Sequence, residues 1–114
     1  MIKFLKNLFK NIFEVSNTEK IISVRGATTV SNDSIKEIEN KTKSLLTEIL
    51  SSNNIQIRDI LFVIFSSTSD LTSHYPATAA RTQLGLTQTA LFSTIEPNID
   101  GSLDKCIRIL LIFK

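Results

Sequence analysis

Glu96-Pro97-Asn98-Ile99-Asp100-Gly101-Ser102-Leu103-Asp104-Lys105-Cys106-Ile107-Arg108-Ile109-Leu110-Leu111-Ile112-Phe113 is the stretch on which the reading of this chain turns. Its first part mixes Pro, Asn, Asp, Gly and Ser, the residues of turns. A helical turn is expected over Ser102 to Lys105. From Cys106 to Phe113 the residues are apolar and rich in isoleucine, which predicts a strand. That strand carries one basic residue, Arg108, on the face shared by Cys106, Leu110 and Ile112. A guanidinium buried unpaired among such neighbours is costly. An ion pair within the fold or an anionic ligand would each offset that cost. Glu96 reads either as a solvated turn carboxylate or as part of the same site.

Working outward, Ile60-Leu61-Phe62-Val63-Ile64-Phe65 is apolar at both parities, within a second strand expected over Asp59 to Thr68. It reads as a central strand covered on both faces. Ile21 to Ala27 predicts a first strand ending at Gly26, where the backbone could approach a ligand. Ser34 and Glu37 have capping-box spacing, and Asp33 favours the same helix end through the dipole. Ile35, Ile38, Leu45, Leu46, Ile49 and Leu50 then recur on one helical face. Pro76 suits the first turn of a short helix, Ala77 to Leu84, closed by Gly85. Thr89 to Ser93 predicts a short third strand. The order β-α-β-α-β-β indicates an α/β or α+β layer with helices on one sheet face, and the fold expected is α+β with a mixed sheet.

The chain has 114 residues, enough for one domain with a small core. Its net charge is +2, and residues 21–114 carry nine basic and nine acidic side chains. Such a balance lacks the broad basic field that nucleic-acid binding needs. One cysteine, Cys106, and one histidine, His74, exclude a disulfide within the chain and a multi-cysteine metal site. Cys106 reads as a small core hydrophobe rather than a nucleophile. No Ser/His/Asp arrangement is readable around His74. Residues 1–20 form a basic amphipathic extension and linker ahead of a domain spanning 21–114. Apolar groups at 1, 2, 5, 8, 9, 12 and 13 oppose Lys3, Lys6 and Lys10. This segment could pack on the domain or a sister subunit, or touch an anionic membrane surface.

Three segments in order resemble a known family. Arg25-Gly26-Ala27-Thr28-Thr29-Val30 is similar to the opening motif of the AroH-type chorismate mutases, the trimeric α/β class. Ser67-Thr68-Ser69-Asp70-Leu71 with Tyr75-Pro76-Ala77-Thr78-Ala79-Ala80-Arg81 resembles the second block. Glu96 with Gly101 to Arg108 resembles the third. The resemblance implies a pseudo-barrel homotrimer with clefts between subunits. It also implies rearrangement of chorismate to prephenate in phenylalanine and tyrosine biosynthesis, with no metal or cofactor, in the cytoplasm or alternatively a plastid stroma. By position, Arg108 would donate to the breaking ether oxygen and a carboxylate, Glu96 would accept from the ring hydroxyl, and Arg25 would bind a carboxylate. Tyr75 would pack on substrate from the neighbouring chain, Arg81 would stand at the entrance, and Ser93 would lie near the ring hydroxyl. Thr78 stands where the family has lysine, and the sequence stops at Lys114, before the family's further strand with its ligand-contacting tyrosine. These departures, with the added N-terminal helix, motivate an alternative reading beside the mutase: a truncated non-catalytic ligand-binding or interaction protein that keeps the fold.

Overall fold

The computed structural model describes residues 20–114. The amphipathic segment expected over 1–13 lies outside them. Four strands form one sheet: β1 (Ile22–Thr29), β2 (Ile60–Ser67), β3 (Ala90–Ile95) and β4 (Cys106–Phe113). Their spatial order is β1-β4-β2-β3. β4 pairs antiparallel with both β1 and β2, and β2 pairs parallel with β3. A parallel pair needs a crossover, here carried by the helix α2 (Pro76–Leu84). The longer helix, α1 (Ile35–Ser52), connects β1 to β2 through a short 3-10 turn, Ile57–Asp59.

The capping signals act as read, with one extension. Ser34 Oγ accepts from the Glu37 N–H at 3.2 Å. The Glu37 carboxylate reaches past the cap and accepts from the Ser31 and Asn32 N–H groups. Asp33 does more than favour the dipole. Its carboxylate accepts from the Thr72 and Ser73 backbone N–H groups at 3.1 Å and from Thr72 Oγ1 at 2.9 Å, tying the loop after β2 to the start of α1. In α2, Pro76 opens the first turn and Gly85 closes it in the left-handed region at φ 73°.

Both helices lie on one sheet face. Leu45, Leu46 and Ile49 of α1 and Ala77 and Ala80 of α2 enclose Val63, Phe65, Ile109 and Leu111 in one core cluster. Each such large side chain contributes about 1.5–3 kcal/mol on leaving water. Phe65, Leu46 and Leu111 are fully buried.

Three expectations are corrected. β1 runs through Gly26 to Thr29, because its pairing with β4 continues to Thr29 opposite Cys106. A Cβ at Gly26 would meet Leu45 Cδ1 at 3.0 Å and Ile49 Cδ1 at 3.1 Å, so the missing side chain makes room for α1, while the Gly26 backbone lines a hollow on the sheet. Ser102 to Lys105 forms no helical turn, because Lys105 adopts φ 47°. β2 is central in strand order, but helices cover only its Val63–Phe65 parity. On the other parity Phe62 remains 39% exposed.

Candidate active site

The uncovered sheet face is built from rows of side chains across the strands. One row runs Arg25–Leu110–Ile64–Phe92, and the next runs Ala27–Arg108–Ser66–Thr94. Arg25 and Arg108 are therefore diagonal neighbours on adjacent antiparallel strands. Diagonal residues in such a pair stand about 7–8 Å apart, their Cβ atoms somewhat closer. Two cations at that spacing repel, and an anion between them removes the repulsion. Together with Ala27, Ile64, Ser66 and Leu110 they line an open hollow of about 660 Å³. Its floor is apolar and its two charges are of one sign. A guanidinium fork suits a carboxylate there better than a lysine would.

Glu96 enters from the end of β3, where its N–H donates to the Ser67 carbonyl at 2.9 Å. Its carboxylate pairs with Arg108 Nε at 3.1 Å. The Arg108 side chain is 50% exposed and that of Glu96 21%. The burial cost expected for Arg108 is therefore not incurred in a single chain, because its face is open. A pair this exposed contributes little to stability, about 0.2–1 kcal/mol. One such contact also does not exhaust the five N–H donors of a guanidinium. With Thr68, Ile99 and Leu103, the two residues line a second hollow of about 270 Å³.

The remaining sequence-derived candidates lie elsewhere in the single chain. Ser93 pairs in register with buried Phe65, which places it on the helix-bearing face, opposite Arg108. It shares a hollow of about 440 Å³ with Tyr75, His74 and Thr68. Thr78 and Arg81 lie on α2, where Arg81 Nη2 stands 3.5 Å from Thr78 Oγ1. The single chain thus sets Arg108 beside Arg25 in one hollow and beside Glu96 in another, and brings Tyr75 together with Ser93. Cys106 is fully buried, and that burial pushes its thiol above the usual range, so it stays protonated and inert. Among the described residues no helix is long and apolar enough to cross a membrane.

Two residues without an expected role, Thr68 and Asp70, join the strand ends. Thr68 Oγ1 accepts from the Cys106 N–H at 2.9 Å and donates to Asp70. The Thr68 N–H donates to the Cys106 carbonyl at 3.0 Å. Asp70 Oδ2 accepts from the Lys105 N–H at 2.9 Å. These hydrogen bonds hold the Asp70 carboxyl below its ordinary range, the Thr68 hydroxyl contributing most. The signal in the sequence was the Thr-Ser-Asp run after β2, whose residue types favour turns held by side-chain hydrogen bonds.

The sequence model of the family described as chorismate mutase type I matches residues 21–114. The chain belongs to that family. It is 42% identical over 91 residues to Chorismate mutase AroH of Thermus thermophilus, covering 79% of this chain and 74% of the relative. Against Chorismate mutase AroH of Bacillus subtilis (strain 168) it is 37% identical over 91 residues, covering 80% and 72%. Among solved structures, a chorismate mutase from Clostridium thermocellum superposes with a TM-score of 0.76 at 43% identity, over 79% of this chain and 80% of that one. At this identity the likeness goes beyond the fold alone, since the sheet face with its arginines belongs to the matched region. As a type I chorismate mutase, the chain offers two guanidinium groups and one carboxylate on that open face.

Proposed function

We propose that this chain is an isomerase that converts chorismate to prephenate, a step towards phenylalanine and tyrosine, and that Arg25, Glu96 and Arg108 form the reacting end of its site. The reaction is a unimolecular [3,3] shift in which a C–C bond forms while the ether C–O bond breaks. No proton transfer, nucleophile, metal or redox partner enters it. The enzyme's work is to hold a flexible dianion in its compact conformer and to stabilise the charge that gathers on the ether oxygen. Arg108 donates to that oxygen and to a substrate carboxylate, and Arg25 binds a carboxylate. Glu96 accepts from the ring hydroxyl and keeps Arg108 oriented. The observation that carries this reading is the diagonal arginine pair with Glu96 on Arg108.

Tyr75 packs on the substrate of a neighbouring copy in a homotrimer, with Ser93 in the Tyr75 hollow, and Arg81 stands at the entrance of the cleft beside Thr78. Support for assembly comes from the open face, where Phe62, Leu110 and Phe92 are 39%, 37% and 66% exposed. The number three follows from the family resemblance.

The test is direct. The purified chain is incubated with chorismate, and loss of the conjugated-ring absorbance is followed against a protein-free control. Turnover well above the control is expected. A folded, assembled protein with no rate above it would overturn the assignment and favour a ligand-binding role.

A further inference from the structure

We infer that Asp70 is a positioning residue for the Arg108–Glu96 pair, acting by locking the left-handed turn at Lys105 from which β4 starts. This inference rests on the chorismate mutase reading above. Lys105 stands at φ 47°, a conformation that side chains other than glycine, asparagine and aspartate seldom adopt. Such a backbone persists only where its surroundings over-determine it, and it concentrates at functional sites.

At Lys105 those surroundings are explicit. Its N–H donates to Asp70 Oδ2 at 2.9 Å, and its carbonyl accepts from the Val30 N–H at 2.9 Å. The next residue, Cys106, is clasped by Thr68 through both its N–H and its carbonyl. Thr68 Oγ1 is fixed in turn by donating to Asp70, so one carboxylate holds both residues that precede Ile107-Arg108. Glu96 is secured to the same strand end, since its N–H donates to the carbonyl of Ser67. Within Ser67–Asp70, then, one carbonyl places the carboxylate partner, and one hydroxyl–carboxylate relay places the strand that carries the guanidinium. Thr68 also lines the hollow that holds Glu96 and Arg108.

None of this requires Asp70 to touch substrate. Without its carboxylate, Lys105 loses the acceptor that holds it at positive φ, and the start of β4 relaxes. Leu111 and Phe113 keep their ladder on both sides. Ile107 and Arg108 are also paired on both sides, so the shift is confined to the Lys105–Cys106 turn and reaches Arg108 as a small change in its aim. A misplacement of about 1 Å at a reacting group costs up to roughly a hundredfold in rate.

The experiment compares Asp70→Ala, Thr68→Val and Thr68→Ser with the full wild-type chain, together with the double variant Asp70→Ala/Lys105→Gly. Asp70→Ala and Thr68→Val are expected to lower kcat for chorismate by about tenfold to a hundredfold. KM should move far less, and Thr68→Ser should retain activity. Adding Lys105→Gly should recover most of the kcat lost in Asp70→Ala, because glycine takes positive φ without strain. A purely structural Asp70 would leave that recovery absent.

Amide hydrogen exchange supplies a readout independent of substrate. In Asp70→Ala, the Lys105 and Cys106 amides should exchange faster than in wild type while Leu111 is unchanged. Unaltered kcat in Asp70→Ala, or a loss that Lys105→Gly does not recover, would overturn the inference. So would unaltered exchange at Lys105 and Cys106. If the wild-type chain does not turn over chorismate, the functional reading fails, and the clamp is judged on exchange alone. Should Asp70→Ala not fold, Thr68→Val decides.

Discussion

Gly26 shows how a single residue can serve two neighbours at once, a hollow and a helix. Its place after Arg25 suggested close approach of the backbone to a ligand, and that backbone lines the hollow with Arg25. Alternation on the strand sends position 26 the other way, onto Leu45 and Ile49 of α1. Gly26→Val is expected to lower stability by about 1–3 kcal/mol through overpacking, read from thermal or denaturant unfolding. That outweighs the 0.4–1 kcal/mol or so that removing a glycine from the unfolded chain contributes. Arg108 was likewise identifiable as the odd residue of its strand. Its partner Glu96, 12 positions earlier, was visible as a candidate, but the 3.1 Å contact between them was not. Lys105 was illegible for a physical reason. Its backbone conformation is held by Asp70, 35 residues away, and nothing in the local run Ser102-Leu103-Asp104-Lys105 favours positive φ.

At the scale of elements, the punctuation of the chain was legible wherever one residue type serves one conformation. Ser34 caps α1, Pro76 and Gly85 bound α2, and Cys106–Phe113 is a strand over its full predicted length. Strand ends set by pairing were less so, because a ladder continues as long as its partner does. β1 therefore extends three residues beyond its apparent end at Gly26.

The same junctions carry the acid sensitivity of the fold. Asp33, Glu37 and Asp70 all have carboxyls held below their ordinary values. The leading causes are the Thr72 N–H for Asp33, the Ser31 N–H for Glu37 and the Thr68 hydroxyl for Asp70. A carboxyl depressed on folding stabilises the native state above its unfolded pKa, and that contribution disappears as pH falls through the folded value. The unfolded references are 3.8 for the aspartates and 4.5 for the glutamate. Stability should therefore be flat from these groups at neutral pH and fall below about pH 4. Asp33→Asn should reduce that acid-dependent loss, as measured by unfolding midpoints across pH.

For the whole molecule, the sheet has one face closed by helices and one face open. β2 is apolar on both parities, and the sequence could not say what covers the second. In the single chain the answer is nothing among the described residues, and Phe62 and Phe92 stand exposed beside the arginine pair. We expect wild-type chains to sediment as trimers. Phe62→Lys, which sets a charge on the open face, should shift them towards single chains and reduce turnover with them. A wild-type monomer with full activity would separate catalysis from assembly.

The central claim is that Arg108 supplies the charge that the breaking ether bond requires. The measurement that tests it most directly is kcat for chorismate in Arg108→Ala, taken on protein shown to keep the wild-type fold and assembly. Losing one preorganised donor of this kind lowers kcat by about 10²–10³, and that is the predicted result. A rate that stays within a few-fold of wild type would contradict the claim.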